Sequence, residues 1–266
     1  MSDAVYIHGT ARDEQERLAK LGELTDAAFL QFLELPPGGR VLDVGSGLGG
    51  LAREVARRVP GGEVWGIERS AEQLARAVAD LPNLHFQQGD AHSLPFDDDS
   101  FDVAYCRYLL EHVADPVRVL REMRRVLKPG GRVFVQENNI FTNEFDPACP
   151  NFGRLWRTFA CLQEALGGDA LIGKKLFRLL SAAGFRDVRL SIQPEVHHFG
   201  SPNYRSWLEN LAGNIRSAES ALLERGLATD AEIRAAIDDL RRLMDDATGS
   251  AFFYWNRATG IKPSSE

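Results

Sequence analysis

Short apolar runs alternate with amphipathic helical segments between residues 40 and 137. Residues 41–44 form an apolar run typical of a strand buried on both faces. The segment after it places Leu51, Val55 and Val59 at i, i+4 and i+8, which predicts a helix with one apolar stripe. Further predicted strands lie near residues 63, 84, 100 and 133. This alternation predicts an α/β fold with a mostly parallel sheet and helices on both faces.

Helix signals punctuate the rest of the chain. The pattern predicts two helices before the first strand, over residues 10–21 and from Thr25 to residue 35. Ser70 begins another helix, carried by Leu74, Ala77 and Val78. After residue 138 the pattern predicts helices over 151–166 and 176–185, a strand at 188–192, helices within 203–247 and a last strand at 251–261.

These patterns predict a division of the chain into three parts. We expect an N-terminal helical arm at residues 1–39 and a core formed by 40–200 together with 248–262. A helical lid over 203–247 would then be inserted late in the sheet, and residues 139–167 would contribute to a cap over the substrate.

Composition and charge exclude several classes of protein. The chain has 266 residues, 44% of them hydrophobic, and a formal net charge of −7, which is typical of a globular protein without a nucleic-acid partner. Its cysteines, at 106, 149 and 161, lack C-x-x-C spacing and predict a reducing compartment with no disulfide or metal site. No segment resembles a signal peptide or a membrane span, so we expect a cytoplasmic protein without membrane contact. The oligomeric state stays open.

A glycine-rich turn separates the first strand from its helix. Gly45, Gly47, Gly49 and Gly50 lack Cβ atoms, so the N–H groups at the helix N-terminus can approach a ligand closely. This arrangement favours a nucleotide-like cofactor. Gly45, Gly47 and Gly50 also satisfy the G-x-G-x-x-G pattern of dinucleotide binders, which leaves an NAD(P)-dependent oxidoreductase as an alternative.

Two carboxylates lie close to this turn in the sequence. Asp43 interrupts the apolar run, where burial of its charge costs several kcal/mol unless donors compensate it. We expect it to accept N–H groups of the turn and to attract a ligand ammonium group. Glu68 ends the second strand at the carboxyl edge of the sheet, where it can accept two ribose hydroxyls.

With Asp43, the glycines, Glu68, Asp90 and the Lys-Pro-Gly-Gly segment at 128–131 in this order, the chain resembles the class I S-adenosylmethionine-dependent methyltransferases. Within that family it is similar to the ubiquinone- and menaquinone-biosynthesis and natural-product methyltransferases. The resemblance is close over residues 5–137. It implies a Rossmann-like fold, S-adenosylmethionine as cofactor and methylation of small molecules in secondary metabolism.

The resemblance also implies how each end of the cofactor is bound. Gly45, Gly47 and Gly49 would surround the methionine part, Asp43 would lie near its amino group, and the main chain of Arg107 would lie beside the sulfonium.

At the other end of the cofactor, Glu68 would bind the ribose and Arg69 would flank the adenine. Asp90 would accept from the adenine N6 amine, and the main chain of Ala91 would donate to N1. Tyr6, and more weakly His8, would lie in an arm over the cofactor.

The implied reaction is in-line displacement of the methyl group, for which positioning of the nucleophile can supply most of the acceleration. A base is needed only if the acceptor must lose a proton, and histidine suits this role because its pKa lies near neutrality. His112 and His198 are the candidates, with His197 as a further possibility. A cofactor-binding protein without transferase activity is the remaining alternative.

The predicted acceptor is a small aromatic or apolar molecule. Glu137, Asn138 and Asn139 leave the fifth strand where they can reach it. The remaining predicted pocket residues are aromatic and belong to the lid and cap: Phe145, Phe152, Trp156, Phe159, Phe199, Tyr204 and Trp207.

Overall fold

A computed structural model describes residues 12–264, without the side chains at 12–16, 18, 19 and 23. Within this range eight strands form one sheet. The strands are β1 (Arg40–Val44), β2 (Glu63–Glu68), β3 (Leu84–Gln88), β4 (Phe101–Arg107), β5 (Leu127–Glu137), β6 (Glu144–Asp146), β7 (Arg186–His198) and β8 (Ser250–Ile261). β1 to β5 are parallel in the order β3-β2-β1-β4-β5, and β8 runs antiparallel to β5, β6 and β7. The predicted α/β fold is therefore confirmed.

Helices cover both faces of the sheet, and three α-helices lie between its last two strands in the chain. They are α1 (Arg12–Phe32), α2 (Gly50–Arg58), α3 (Ala71–Leu74), α4 (Pro116–Val126), α5 (Pro150–Ala165), α6 (Leu176–Ala182), α7 (Tyr204–Ser217), α8 (Glu219–Glu224) and α9 (Asp230–Asp245). Short 3-10 helices cover Leu110–His112, Ile140–Thr142 and Ile172–Lys175. None of the helices within residues 12–264 combines the length and the apolar character that a bilayer span requires.

The sheet separates two layers of the core, and the lid contributes a third. α1 and α2 pack on one face around Phe29, whereas α4 and α6 pack on the other around Met123. The third cluster joins α5, α7 and α9 to β8 and includes the fully buried Trp207. The carboxyl ends of the parallel strands therefore lie beside the lid cluster.

Helix α1 is continuous where the pattern predicted two helices. The hydroxyl of Thr25 donates to the carbonyl of Leu21 at 2.8 Å, so this side chain bonds back along the same helix and does not begin a new one. The helix predicted through Val78 also differs, because α3 ends at Leu74. Val78 is 55% exposed and buries no stripe that would stabilise another turn.

The lid helices α7 to α9 connect β7 to β8, which are neighbours in the sheet. β7 is longer than the predicted strand at 188–192, since it pairs with β8 from Arg186 to His198. The extended pairing holds both ends of the helical segment next to the carboxyl edge of the sheet.

Candidate active site

A cavity of about 1150 Å³ opens at the carboxyl edge of the parallel strands. One part is lined by the glycine turn, the end of β2 and the loop at residues 89–92. The other part is lined by α1, α5, α7 and β8. We call these the rim half and the lid half, respectively. Because the two halves are continuous, two molecules can meet inside the cavity.

The glycine turn is fixed to β2 by its backbone. The N–H groups of Gly45 and Ser46 donate to the carbonyl of Ile67 at 2.8 and 2.9 Å. Gly49 has φ of +78°, and a Cβ there would lie 2.3 Å from the ring of Phe86, so other residues do not fit. Gly45 and Gly47 line the cavity, whereas Gly49 lies behind it and shapes the turn.

Glu68 and Asp90, predicted to bind the adenosine end, both line the rim half, as do Arg69 and Ala91. Glu68 accepts the N–H of Gly47 at 3.0 Å, which orients its carboxylate toward the turn. Asp90 is more exposed. Partial burial opposes its ionisation, but hydrogen bonds from the backbone and ring of His92 outweigh burial and lower the pKa of Asp90. Both groups are therefore acceptors that face one cavity.

Asp43 lines the floor of the cavity and is only 4% exposed. The hydroxyl of Tyr105 donates to it at 2.9 Å, while the N–H groups of Gly45 and Ser46 bond to Ile67. The expectation that N–H groups of the glycine turn would compensate the buried charge of Asp43 was therefore wrong. Burial raises the pKa of Asp43 to about 7, against the lowering effects of Tyr105 and Arg107. A cationic ligand group would favour the ionised carboxylate.

Arg107 ends β4 and lines the cavity, but its side chain has a structural role that the sequence analysis missed. Its guanidinium donates to Asp26 at 2.5 Å and to Thr25 at 3.2 Å. The same group lies over the rings of Phe29 and Tyr108. Arg107 therefore links helix α1 to the carboxyl end of β4. No local motif predicts a partner 81 residues away in the chain.

His112 lines the cavity from the 3-10 helix Leu110–His112. Burial lowers its pKa, while the charge of Glu111, whose carboxylate lies 3.8 Å away, opposes that shift. The N–H groups of Leu109 and Leu110 donate to the carboxyl group of Glu137 at 3.0 and 2.8 Å. A largely neutral imidazole is thus held at the cavity wall, as a proton acceptor requires.

The three polar residues after β5 occupy different positions. Glu137 is fully buried and supports the turn that carries His112, so the expected substrate contact is wrong for this residue. Asn138 lines the cavity. Asn139 caps the next 3-10 helix by accepting the N–H of Phe141.

The structure places His198 away from the cavity. Its ring is exposed at the end of β7 and lies 2.9 Å from the carbonyl of Phe199. Successive side chains of a strand point to opposite faces, so His197 points inward instead and stacks on Trp207 with ring centroids 5.0 Å apart. Neither histidine lines the cavity, which leaves His112 as the candidate base.

Aromatic side chains from several elements line the lid half. Of the predicted residues, Trp156, Phe159 and Trp207 line the cavity, whereas Phe145, Phe152, Phe199 and Tyr204 do not. On α5, Trp156 stacks on Phe159 with centroids 4.9 Å apart. Sequence reasoning missed three further aromatic residues that line the cavity: Tyr108, Phe253 and Trp255.

Some predictions fall outside this description. Tyr6 and His8 lie outside the described residues.

Among residues 12–264 no group of three or more His, Cys, Asp or Glu side chains is arranged to hold a metal ion. The three cysteines are free thiols.

Comparison with known proteins identifies the family. Residues 42–135 match the family described as "Methyltransferase domain". A demethylmenaquinone methyltransferase from Bacillus cytotoxicus is 30% identical over an alignment of 184 positions, gaps included, that covers 62% of this chain and 76% of that protein. The chain spans about half or less of the length of the first curated relatives it matches.

Solved structures show the same fold. A putative methyltransferase from Bacillus halodurans has a TM-score of 0.62 at 20% identity and covers 90% of this chain and 99% of its own. Phosphoethanolamine N-methyltransferase 2 of Haemonchus contortus, in complex with S-adenosylhomocysteine, has a TM-score of 0.57 at 19% identity, over 94% of this chain and 52% of its own. At such identities the likeness concerns the fold alone. The sequence relatives and the domain match decide the family: the chain belongs to the class I S-adenosylmethionine-dependent methyltransferases, whose cofactor is S-adenosylmethionine.

Proposed function

We propose that this protein transfers the methyl group of S-adenosylmethionine to a flat aromatic or apolar small molecule. This proposal rests mainly on the continuity of the cavity. The rim half, which has two acceptor carboxylates, opens into the lid half, which is lined by aromatic rings. A cofactor with a polar adenosine end suits the first half, and an apolar acceptor suits the second. We further propose a role in cytoplasmic secondary metabolism.

The residues of the rim half fit the cofactor. Asp43 is a buried carboxyl group whose pKa is raised, and an ammonium group would compensate its charge. Glu68 and Asp90 line this half, where Glu68 would accept ribose hydroxyls and Asp90 an adenine amine. When bound, S-adenosylmethionine supplies a methyl group already activated by its sulfonium. The protein then needs to position the nucleophile, which can contribute about 7–11 kcal/mol to the acceleration.

The lid half determines which molecules reach the methyl group. The aromatic rings that line this half favour a planar apolar body; they include Trp156, Phe159, Trp207 and Trp255. For an acceptor that must lose a proton, such as a phenol, His112 holds that proton on a ring nitrogen. In this proposal residues 203–247 act as the lid and residues 139–167 as part of the cap.

A turnover assay tests the proposal. The protein is incubated with S-adenosylmethionine and a panel of phenols, quinols and aromatic amines, and release of S-adenosylhomocysteine is measured. We expect turnover with at least one planar acceptor and none with small aliphatic alcohols. Tight binding of S-adenosylhomocysteine without turnover on any acceptor would instead support a non-catalytic cofactor-binding protein.

A further inference from the structure

The outward face of β7 and β8 is apolar. Its members, which we call the ribbon face, are Leu190, Ile192 and Val196 on β7 and Phe252 and Tyr254 on β8. Their exposed fractions range from 36% to 60%. The pairing of Val196 with Phe252 places apolar side chains next to each other across the two strands.

The inward face of β7 is polar. Gln193 accepts the guanidinium of Arg257 at 3.0 Å, and Glu195 accepts the indole N–H of Trp255 at 3.0 Å. An antiparallel pair that meets water on one side ordinarily has its apolar residues inside and its polar residues outside. In β7 this arrangement is reversed, so the core of this chain does not account for the outward apolar residues.

The ribbon face is extended by neighbouring side chains. Phe141 is 47% exposed, and the next residue, Thr142, bonds to the carbonyl of Tyr254. Phe177 is 54% exposed on α6, which packs against β7. Together these side chains expose on the order of 600 Å² of apolar surface, at the upper limit for a monomer and close to the ~800 Å² per partner of a stable interface.

Opposite charges lie around this surface. Glu144 pairs with Phe252 in the sheet, and Asp146 pairs with Ser250, so both acids lie at the β6 end. Arg178 is exposed on α6, whose Leu180 lies next to Gly260 toward the other end of β8, and Lys174 is exposed just before that helix. None of these four charges forms an ion pair within the described part of the chain.

We propose that the ribbon face is the contact between two copies of this chain, packed face to face about a two-fold axis. Such an axis through the middle of the ribbon brings the acidic end of one copy to the basic end of the other. Pro194 lacks an N–H and obstructs extension of the sheet along the free edge of β7, so packing of the faces is favoured over strand pairing. The acids and the net charge of −7 disfavour an anionic lipid surface.

Sedimentation equilibrium of the full chain tests this contact. We expect a dimer at micromolar concentration, weakened more than about tenfold by Ile192→Glu, because a charge at the centre of an apolar interface is costly to desolvate. Val78→Glu, at an equally exposed apolar residue away from the ribbon, is the matched control and should leave the dimer intact. Binding of S-adenosylhomocysteine by each variant reports that it is folded.

Charge exchange tests the two-fold arrangement. Glu144→Lys and Arg178→Glu should each weaken the dimer, and the double variant should recover it, because each end then meets an opposite charge again. A monomeric parent protein would overturn the proposal, as would a dimer unaffected by Ile192→Glu. Monomers that sediment with neutral phosphatidylcholine vesicles, and lose that binding in Ile192→Glu, would overturn it in favour of a membrane contact.

Discussion

A carboxyl group that is buried within an apolar strand is costly to ionise, and Asp43 occupies such a position in β1. The single side-chain donor to it, among the described residues, is the hydroxyl of Tyr105. Its folded pKa of about 7 lies above the ordinary aspartate pKa of 3.8. The stability it contributes is therefore fully present below about pH 4 and is lost as the pH rises through 7. The unliganded protein is expected to lose stability over that range.

Cofactor binding should depend on pH for the same reason. An ammonium group requires the ionised carboxylate, so we expect affinity for S-adenosylhomocysteine to rise about tenfold between pH 6 and pH 8, with proton release at the lower pH. Calorimetry in buffers of different ionisation enthalpy measures both quantities. Asp43→Asn should bind more weakly and without this proton release. Uptake of a proton on binding would contradict the assignment.

The candidate base gives a second prediction at the residue scale. His112→Ala should lower turnover of a phenolic acceptor by about 10²–10⁴-fold, the range usual for loss of a general base. Affinity for S-adenosylhomocysteine should change little. His198→Ala is the control, because the ring of His198 is exposed outside the cavity. If the His112→Ala variant turned over at the rate of the parent protein, the assignment of His112 as the base would be wrong.

Among the elements, α1 lines the cavity and is linked to the end of β4 by Arg107. The guanidinium of Arg107 bonds to Asp26 and is largely buried beneath the helix. Truncation of one partner leaves the other charge buried and unpaired, which is more costly than loss of a surface pair. The position of α1 against the cavity therefore depends in part on this contact.

Asp26→Ala should test that dependence. We expect a loss of about 2–3 kcal/mol in the free energy of unfolding, together with weaker cofactor binding, since α1 lines the cavity. Urea unfolding and calorimetry measure the two effects. Asp238→Ala removes an exposed ion pair with Arg241 and should cost less than about 1 kcal/mol. If the two substitutions lowered the free energy of unfolding equally, the Arg107–Asp26 ion pair would be no stronger than an exposed ion pair.

At this scale the sequence predicted the elements that carry strong local signals. The strands from β1 to β5 follow from apolar runs, and a capping box of Thr229 and Glu232 begins α9 within the segment where helices were predicted, 203–247. The predicted boundary at Thr25 was wrong because a threonine can cap a helix or bond back within one, and the local pattern is the same in both cases. His198 was misplaced because the register of β7 depends on pairing with β8.

In the whole molecule, the cavity exists because distant segments meet. Its rim half was predictable, since Glu68 and Asp90 follow strands that end at one edge of a parallel sheet. Its lid half was predictable only in part. Tyr108, Trp156 and Trp255 come from a strand end, a cap helix and the last strand, and no periodicity relates them. Such contacts depend on tertiary packing.

The most direct test of the account is a crystal structure of the protein with S-adenosylhomocysteine. We expect the ribose hydroxyls on the carboxylate of Glu68, the adenine beside Asp90 and the amino group toward Asp43. The sulfur should then face the aromatic walls of the lid half. A ligand bound with its adenine in the lid half, or outside this cavity, would contradict the account.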